Sequence, residues 1–388
     1  MEGNPTQDDS PDIAALRRAL FERALPLWRD RGWDARNGGF HDRLDGALSP
    51  VALPAKRLLV QCRQLFVFSH ASVLAPESGW ADIAHRLYGF LTERYWDDAQ
   101  GGWFFSVAPS GAPHDRRKDT YGQAFALFAL AHYGGIFHSD AALALAERTL
   151  DLLDAHVAAT NGGFHEAAED DWRLIPAERR QNPHMHLLEA FLALFEATGN
   201  ARYRRAAGDM MHLLETVFVD PSTGTIGEFF DSDWRPDAAK GDVIEPGHHF
   251  EWYWLLRRAA ALFATPPHDL ADRLFAWADL HGLDTVHGGV FDQLHRDGSV
   301  VSHSKRLWPL TEAIRAYALR GRDSGRSGDR RKAATLTAHL LRHYADDDCG
   351  FREHLDRGGG VIVDEVFASS LYHVFGAYAE LIRAEGKS

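Results

Sequence analysis

The sequence predicts an all-α protein, an (α/α)6 barrel of about twelve helices with short β-hairpins at one end. A turn that combines glycine with an apolar, usually aromatic, residue recurs six times along the 388 residues. The six turns contain Gly38, Gly101, Gly162, Gly224, Gly288 and Gly350. They follow one another at intervals of 63, 61, 62, 64 and 62 residues, and such even spacing indicates a repeat architecture.

Each repeat contains two segments whose apolar residues follow the helical period of 3.6 residues. In chain order these segments span 16–28, 61–74, 83–95, 121–133, 141–156, 186–197, 203–217, 250–263, 270–280, 308–319, 331–344 and 369–384. Strand patterns are confined to short hairpins at the glycine turns, such as 102–109 and 289–295.

The length of the repeat favours a closed ring over an open superhelix. Helical solenoids usually have repeats of about 33 to 47 residues, whereas these are near 62 and carry a hairpin at one end. We expect the helix after each glycine turn to lie inside the ring. We also expect one catalytic domain over 12–388, a disordered N-terminus over 1–11 and an exposed loop over 320–330.

Composition and charge exclude several classes of partner. The formal net charge of −13 argues against nucleic acid and against an anionic membrane surface. No apolar run reaches the ~18 residues of a membrane span, and the polar stretch 1–12 does not resemble a signal peptide. Two distant cysteines, Cys62 and Cys349, fit a reducing compartment rather than a disulfide framework. We expect a cytoplasmic monomer or homodimer that binds a small molecule.

The repeat also brings polar and aromatic residues to equivalent positions near the start of each predicted inner helix. In order these residues are Arg63, Tyr121, His186, His248, Trp308 and His373. They follow one another at 58, 65, 62, 60 and 65 residues. In a closed ring their side chains converge at one mouth of the barrel, which predicts a polar funnel.

Two of these inner helices bring further polar residues to the funnel. Pro183 fits the first turn of a helix and Asn182 before it is a suitable N-cap, so Asn182 and His186 share one helix mouth. His248 and Glu251 are three residues apart and therefore share a helix face.

Each of these residues has a structural alternative. A single buried histidine is more often part of a core than a catalyst, but three at equivalent repeat positions favour function. Arg63 could form a structural ion pair, and Tyr121 and Trp308 could be core residues. Glu189 and Glu312 are interpreted as orienting a histidine or an arginine, or as bonding backbone at a helix end.

The histidine pairs raise the question of a metal. His184 and His186 lie on different faces of one helix, and no His-Glu-x-x-His pattern occurs, so we expect no metal. Phosphate-binding, dinucleotide-binding and nucleophile-elbow motifs are also absent from the sequence, so we expect no cofactor and no serine-hydrolase chemistry.

Histidines and an arginine in a polar funnel suit proton transfer on a sugar. Imidazole titrates near neutrality and serves as both acid and base. Two histidines on opposite sides of a sugar could open its ring and move the proton next to the carbonyl. A fixed cation such as Arg63 would stabilise the resulting enediolate, and Trp308 would cover the apolar face of the sugar.

Three blocks of sequence resemble the N-acylglucosamine 2-epimerase superfamily, which includes cellobiose 2-epimerases, mannose isomerases and sulfoquinovose-type isomerases. The blocks read NPHMHLLEA at 182–190, PGHHFEW at 246–252 and KRLWPLTEA at 305–313, and Tyr372-His373 adds a C-terminal match. The resemblance covers the chain from about residue 15 to its end and implies an (α/α)6 barrel, in agreement with the repeat count.

Position by position, the resemblance implies that His248 and His373 form the acid/base pair. His373 is expected to take the C2 proton, while His248 assists ring opening or protonates the other side. Sugar-binding or supporting roles are implied for Arg63, Asn182, His186 and Glu251, and site-lining roles for Tyr121 and Trp308.

Isomerisation and epimerisation share the enediolate and differ in where the proton returns. The epimerase branch commonly has two adjacent tryptophans where this chain has Leu307-Trp308-Pro309, which is similar to the mannose isomerase branch. We therefore expect a cofactor-independent isomerase that interconverts D-mannose and D-fructose or a related free monosaccharide. The alternative is a 2-epimerase acting on mannose, cellobiose or N-acetylglucosamine. A glycoside hydrolase that uses Glu251 and Asp119 and a non-catalytic sugar-binding protein also stay open.

Overall fold

Six helices form an inner ring and six form an outer ring, as the repeats predict. The computed structural model describes residues 10–386, and this part of the chain contains twelve helices. The inner helices are α2 Leu58–Leu74, α4 Thr120–Phe137, α6 Gln181–Thr198, α8 Pro246–Phe263, α10 Leu307–Ser324 and α12 Ser370–Ala384. The outer helices are α1 over 13–32, α3 Trp80–Arg94, α5 Asp140–His156, α7 Ala201–Leu213, α9 Asp269–Trp277 and α11 Ser327–His343. Helix α1 contains π-helical turns at Ala19–Ala24 and Trp28–Gly32, and α7 and α9 end in similar turns at Leu214–Phe218 and Ala278–Gly282.

The ring is closed. Each inner helix packs against the next one along the chain, and α12 packs against α2. Each inner helix from α2 to α10 also packs against the outer helix that follows it, whereas α12 packs against α1 at the other end of the sequence. The predicted (α/α)6 barrel is therefore confirmed. The predicted disorder falls almost wholly on residues 1–9, which lie outside the described residues.

Short strands join successive repeats at the end of the barrel where the inner helices begin. The strand before each inner helix pairs antiparallel with the strand after the next glycine turn, and the last such strand pairs with the first. In ring order the pairs are Lys56–Arg57 with Ser106–Val107, Lys118–Asp119 with Ala167–Ala168, Arg179–Arg180 with Phe229–Phe230, Val243–Ile244 with Gln293–His295, Lys305–Arg306 with His354–Leu355, and Val366–Phe367 with Arg43–Leu44. Third strands at Pro113–Asp115, Val300–Ser302 and Val361–Val363 extend three of these sheets, and Ala345–Asp346 pairs with Gly350–Phe351.

Buried ion pairs fix several glycine turns to the strand before an inner helix. The Lys118 ammonium donates to Asp97 at 2.8 Å, and the two side chains are 0% and 2% exposed. Lys56 with Asp34 and Lys305 with Asp284 repeat this contact at 2.7 and 2.9 Å. Leaving one member of such a pair unpaired is costly, which explains why the turn residues recur with the repeat.

The expected loop over 320–330 is wrong. Helix α10 continues to Ser324 and α11 begins at Ser327, so only Gly325 and Arg326 connect them. Gly325 ends α10 in the left-handed region, with φ of 68°, where a residue without Cβ is favoured. Residues 320–324 and 327–330 lie on helical turns instead. In the part of the chain described, no helix combines the length and apolar character needed to cross a membrane.

Candidate active site

One polar cavity of about 180 Å³ lies at the mouth where the inner helices begin. Its lining residues are Arg63, Tyr121, Asn182, His186, Glu245, His248, Glu251, Arg306, Trp308 and His373. The structure thus brings together all eight residues that the sequence analysis selected. It adds Glu245 and Arg306, which sequence reasoning missed. The roles assigned to these residues remain predictions.

His248 is held as a cation by carboxylates. It lies in the first turn of α8, and its Nδ1 is 2.9 Å from both carboxylate oxygens of Glu228 and 3.4 Å from Glu245. The side-chain amide of Gln181 donates to Glu228 at 2.9 Å and is itself oriented by the Trp252 indole at 2.7 Å. Burial lowers the pKa of His248, but the surrounding carboxylates, Glu228 foremost, together outweigh burial and raise this pKa to about 9. His248 is therefore protonated at neutral pH.

His373 is held in the opposite state. Its Nδ1 is 2.8 Å from Glu312 Oε1, so Nδ1–H donates and Nε2 carries the lone pair. Burial, reinforced by the positive charge of Arg63, lowers the pKa of His373 well below its ordinary range. His373 is therefore a neutral imidazole that can accept a proton.

Trp308 lies between these two histidines. Its ring centroid is 4.8 Å from that of His248 and 5.9 Å from that of His373. Gly247 makes room for the indole, because a Cβ at Gly247 would lie 2.4 Å from its ring. The indole therefore contacts both imidazoles, and all three rings line the cavity.

His186 belongs to a second buried carboxylate network. Its Nδ1 donates to Glu189 at 3.2 Å, and Glu189 also accepts from the Tyr372 hydroxyl and, at 3.4 Å, from Arg315. Arg315 donates in addition to Glu312 at 3.1 Å. Burial lowers the pKa of His186 although Glu189 opposes this effect. The interpretation that Glu189 and Glu312 orient histidines agrees with these contacts.

Arg63 is a buried cation without a carboxylate partner among residues 10–386. It donates to the Tyr121 hydroxyl at 3.1 Å and to the Ser369 carbonyl at 3.4 Å. Its guanidinium also lies over the rings of Phe125 and Tyr372, at 4.5 and 4.9 Å from their centroids. The structural ion pair considered for Arg63 is therefore not formed, and its charge is available to the cavity.

Asn182 is not an N-cap. Helix α6 begins one residue earlier, at Gln181, so that Asn182 lies inside the first turn. Its Oδ1 is buried, and within the described chain this oxygen has no hydrogen-bond partner; the same holds for Oε1 of Glu251. Both residues line the cavity, so they have hydrogen-bonding capacity left for hydroxyl groups.

Glu228, a further residue that sequence reasoning missed, belongs to a repeated pattern of acids. An acid follows the turn glycine by three or four residues in five of the six repeats, and each contacts the start of the inner helix that follows. These acids are Asp42, Glu166, Glu228, Asp292 and Glu353. Glu245 and Arg306 form a pair at 3.3 Å at the rim. Aligning the acids by repeat would have found Glu228, whereas nothing in the pattern marks Glu245.

His184 and His249 have structural roles. Nε2 of His184 accepts from the Phe164 N–H at 2.9 Å, while its Nδ1 donates to the Arg180 carbonyl at 2.9 Å. His249 contacts Ile226 N in the same way at 3.2 Å. Gln61 and Gln123 make the equivalent bonds in the first two repeats, at 2.7 and 3.1 Å. His184 and His249 therefore each hydrogen-bond the backbone of a glycine turn and fix that turn to the inner helix. We call these two histidines, together with Gln61 and Gln123, clamp residues.

Two groups of site residues have the composition of a metal site. His186, Glu189 and Glu251 form one group, and Glu228, Glu245 and His248 form the other, with ligand atoms within 4.8 Å of one another. In each group the histidine Nδ1 already donates to a carboxylate. The absence of a metal remains a prediction that a chelator tests.

The carboxyl pair proposed for a hydrolase does not form. Asp119 caps α4, where its Oδ1 accepts from the Gly122 N–H at 2.8 Å. It does not line the cavity that contains Glu251. The geometry therefore gives no support to glycoside hydrolysis by these two residues.

Comparison with known proteins finds similarity along nearly the whole chain. The family model described as N-acylglucosamine 2-epimerase (GlcNAc 2-epimerase) matches residues 38–377. A mannose-6-phosphate isomerase of Rhizobium meliloti (strain 1021) is 33% identical over 373 residues, which cover 93% of this chain and 94% of that protein. A D-mannose isomerase of Thermobifida fusca is 30% identical over 337 residues, which cover 80% of each chain. The structure of a cellobiose 2-epimerase from Spirochaeta thermophila DSM 6192 matches with a TM-score of 0.83 and 26% identity, covering 96% of each chain.

Proposed function

Because this chain belongs to the N-acylglucosamine 2-epimerase family, we propose that it interconverts D-mannose and D-fructose, or a related free monosaccharide, by cofactor-independent acid/base catalysis. One observation carries the proposal. Two histidines whose pKa values are shifted in opposite directions by their surroundings, His248 and His373, line a single cavity against the same tryptophan ring. An acid and a base that coexist at neutral pH are what proton transfer on a sugar requires.

The reaction begins with ring opening. The C1–O5 bond breaks, the His248 imidazolium gives its proton to the ring oxygen, and the His248 imidazole that remains takes up the O1 proton, so that C1 becomes the aldehyde carbon. Nε2 of neutral His373 then takes the proton from C2. The C–H electron pair forms the C1–C2 double bond of an enediolate, and the charge falls on O1. His373 returns its proton to C1 while the O2 proton moves to O1, so that C2 becomes the carbonyl carbon of the 2-ketose.

Arg63 is the group that stabilises the enediolate. Its guanidinium is buried in the cavity and is not neutralised by a carboxylate, so it can bind the oxygen on which charge develops. A donor preorganised in this way typically contributes about 10² to 10³ in kcat.

The cavity favours a single, uncharged sugar unit. Its volume of about 180 Å³ is below the ~300–1,000 Å³ of pockets for drug-sized ligands. Arg306 at the rim is paired with Glu245 and Asp292, each at 3.3 Å, so its charge is not free for a sugar phosphate. These features support mannose over mannose 6-phosphate and over a disaccharide.

A sugar 2-epimerase acting on mannose, cellobiose or N-acetylglucosamine is the second candidate. The cellobiose 2-epimerase structure shares the fold over 96% of the chain. Epimerisation uses the same enediolate and returns the proton to C2 on the other face. The product distribution, rather than the residues of the cavity, separates the two reactions.

The test is NMR of mannose, mannose 6-phosphate, glucose, cellobiose and N-acetylglucosamine incubated with the enzyme in D2O. We expect fructose from mannose, with deuterium at C1 of the ketose, and the same rate in the presence of a chelator. A C2 epimer without any ketose would instead establish the epimerase. Binding without hydrogen exchange would establish a sugar-binding protein, and loss of turnover with chelator would contradict the metal-free mechanism.

The cytoplasmic location and the monomeric or homodimeric state remain predictions. Cys62 and Cys349 are both free and buried, which suits the expected reducing compartment. Size-exclusion chromatography with light scattering checks the oligomeric state.

A further inference from the structure

Glu251 is a buried carboxyl group in the catalytic cavity with no partner for its charge among the described residues. We propose that Glu251 acts as a neutral carboxylic acid, donating a hydrogen bond to the sugar oxygen on which negative charge develops. The inference rests on the proposed function. It assigns a protonation state to Glu251, one of the residues expected to contact the sugar.

The geometry isolates this side chain. Glu251 lies one turn after His248 on α8, is 1% exposed and lines the cavity. Within residues 10–386, its Oε1 has no hydrogen-bond partner and its carboxyl group forms no ion pair. Glu251, His186 and Glu189 each place a polar atom within 4.8 Å of the others.

Charged and titratable groups approach Glu251 from every neighbouring inner helix. They are Tyr121 on α4, His186 and Glu189 on α6, His248 on α8, Glu312 and Arg315 on α10, and Tyr372 on α12. The set contains two other carboxylates and two cations.

Both cations are already committed. Arg315 divides its donors between Glu189 at 3.4 Å and Glu312 at 3.1 Å. The charge of His248 is held by Glu228 at 2.9 Å. Arg63, the remaining buried cation of the cavity, donates to a hydroxyl and to a carbonyl. Among the described residues no cation forms an ion pair with Glu251, since Arg63, although it has no carboxylate partner, is not within 4 Å of this carboxyl group.

A buried carboxylate without a partner costs several kcal/mol, and it avoids this cost by binding a proton. Burial, followed by the negative charges of Glu312 and Glu189, raises the pKa of Glu251 well above its ordinary value. Oε1 of Glu251 has no hydrogen-bond partner among the described residues, so an O–H on this oxygen is free to point into the cavity. A sugar oxygen is therefore its partner.

A neutral acid suits an enediolate better than a carboxylate does. Its O–H strengthens a hydrogen bond as charge develops on the sugar oxygen, and no proton needs to be transferred. An ionised Glu251 would repel that oxygen. The neutral O–H and the Arg63 guanidinium would act on the enediolate together.

The test compares Glu251→Gln with Glu251→Leu and measures kcat/KM for mannose. Gln is neutral, similar in shape and still donates hydrogen bonds, so we expect activity within about tenfold of wild type. Leu donates nothing and should lose about 10² to 10³. Glu228→Gln is the matched control, because this carboxylate must stay ionised to hold the His248 proton, and the same substitution there should lose activity.

If Glu251→Gln is as inactive as Glu251→Leu while the wild type turns over, the carboxylate form is required and the inference fails. If the wild type turns over none of the sugars, the proposed function fails first. The protonation state then rests on a measurement that does not depend on activity.

That measurement is the melting temperature of wild type and Glu251→Gln from pH 5 to pH 8. A folded-state pKa raised above the ordinary value of 4.5 leaves stability unaffected below that pH, and the protein loses stability as the pH rises because the unfolded chain ionises. The Gln variant lacks this loss, so its advantage over wild type should grow with pH. A constant or shrinking difference would show that Glu251 is ionised in the folded protein, against the inference.

Discussion

Histidines of the same helix turn differ here because their partners differ. His248 and His249 are adjacent in sequence and both buried, yet the pKa of the first is raised to about 9 and that of the second is lowered to about 3. Burial acts on both. Only His248 has the carboxylate of Glu228 to compensate for it, whereas His249 contacts backbone groups. The hydrogen-bond partners of the ring nitrogens therefore decide the protonation state of each histidine.

The opposite pKa shifts of the two histidines proposed as acid and base predict a bell-shaped pH profile of kcat/KM. The acidic limb reports the loss of the His373 proton, well below pH 6.5, and the alkaline limb the loss of the His248 proton near pH 9. Glu228→Gln removes the charge that raises the second pKa, so the alkaline limb should move down by about 1–3 pH units. Glu166→Gln changes the equivalent acid of another repeat, which pairs with Arg180, and should leave the limb in place. An unmoved limb in Glu228→Gln would contradict the assignment of His248 as the acid.

His184 provides a prediction about stability without catalysis. His184→Ala leaves the buried Phe164 N–H unsatisfied and should destabilise the fold by about 1–3 kcal/mol. His184→Gln introduces the residue type that makes the equivalent hydrogen bond in the first repeat, where Gln61 accepts from the Phe40 N–H. This variant should therefore lose much less stability than His184→Ala. Burial lowers the pKa of His184 to about 4, so its contribution is present above pH 6.5 and is lost as the pH falls towards 4. Urea unfolding at pH 7 and pH 5 checks both points, and a Gln variant as unstable as Ala would contradict the clamp.

At the scale of the element, the repeated unit is a glycine turn fixed to an inner helix. A buried lysine or arginine on the preceding strand and a clamp residue in the first turns of the helix both bond the turn. These contacts fix the position at which each inner helix begins. They therefore also fix where the site residues on these helices lie along the barrel axis.

Breaking one of these buried pairs should be expensive. Lys118→Met leaves Asp97 buried without its cation and should destabilise the protein by about 3–5 kcal/mol. Arg235→Met removes an exposed pair with Asp233, whose side chains are 72% and 63% exposed, and should change stability by less than about 1 kcal/mol. Denaturant unfolding measures both, and equal small effects would mean that the turn tolerates an unpaired aspartate.

Features that depend on local periodicity or on the repeat could be predicted from the sequence, whereas contacts between distant residues could not. All twelve helices follow from apolar periodicity, but five of the six inner helices start earlier than the pattern indicates, the exception being α12. Helix α6, for example, begins at Gln181 instead of residue 186, because its first turn is polar and leaves no periodic signal. Convergence of His186, His248 and His373 follows from the repeat. The partnership of Arg315 with Glu189, 126 residues away, follows from no local pattern and appears only when the ring is folded.

At the scale of the whole molecule, the catalytic centre depends on a seam between the two ends of the chain. Arg43 and Leu44 pair with Phe367 and Val366, and the Gln64 amide donates to the Ala368 carbonyl at 2.6 Å. His373 follows this seam directly in α12. Arg63 in α2 contacts the last repeat through Ser369. The proposed base, His373, and the proposed enediolate-binding cation, Arg63, therefore come from opposite ends of the sequence.

A closed ring should open cooperatively, unlike a solenoid whose terminal repeats fray. We expect hydrogen exchange in α2 and α12 to be as slow as in α6 and α8, since all four helices lie in the same ring. Leu44→Lys places a charge at a fully buried seam position and should accelerate exchange in α2 and α12 first, with loss of activity because His373 and Arg63 separate. Val301→Lys, at a 41% exposed strand position away from the seam, is the matched control and should change neither. Fast exchange of α12 in the wild type would mean that the seam opens independently of the rest of the ring. His373 and Arg63 would then be close together only in the fraction of molecules whose seam is closed.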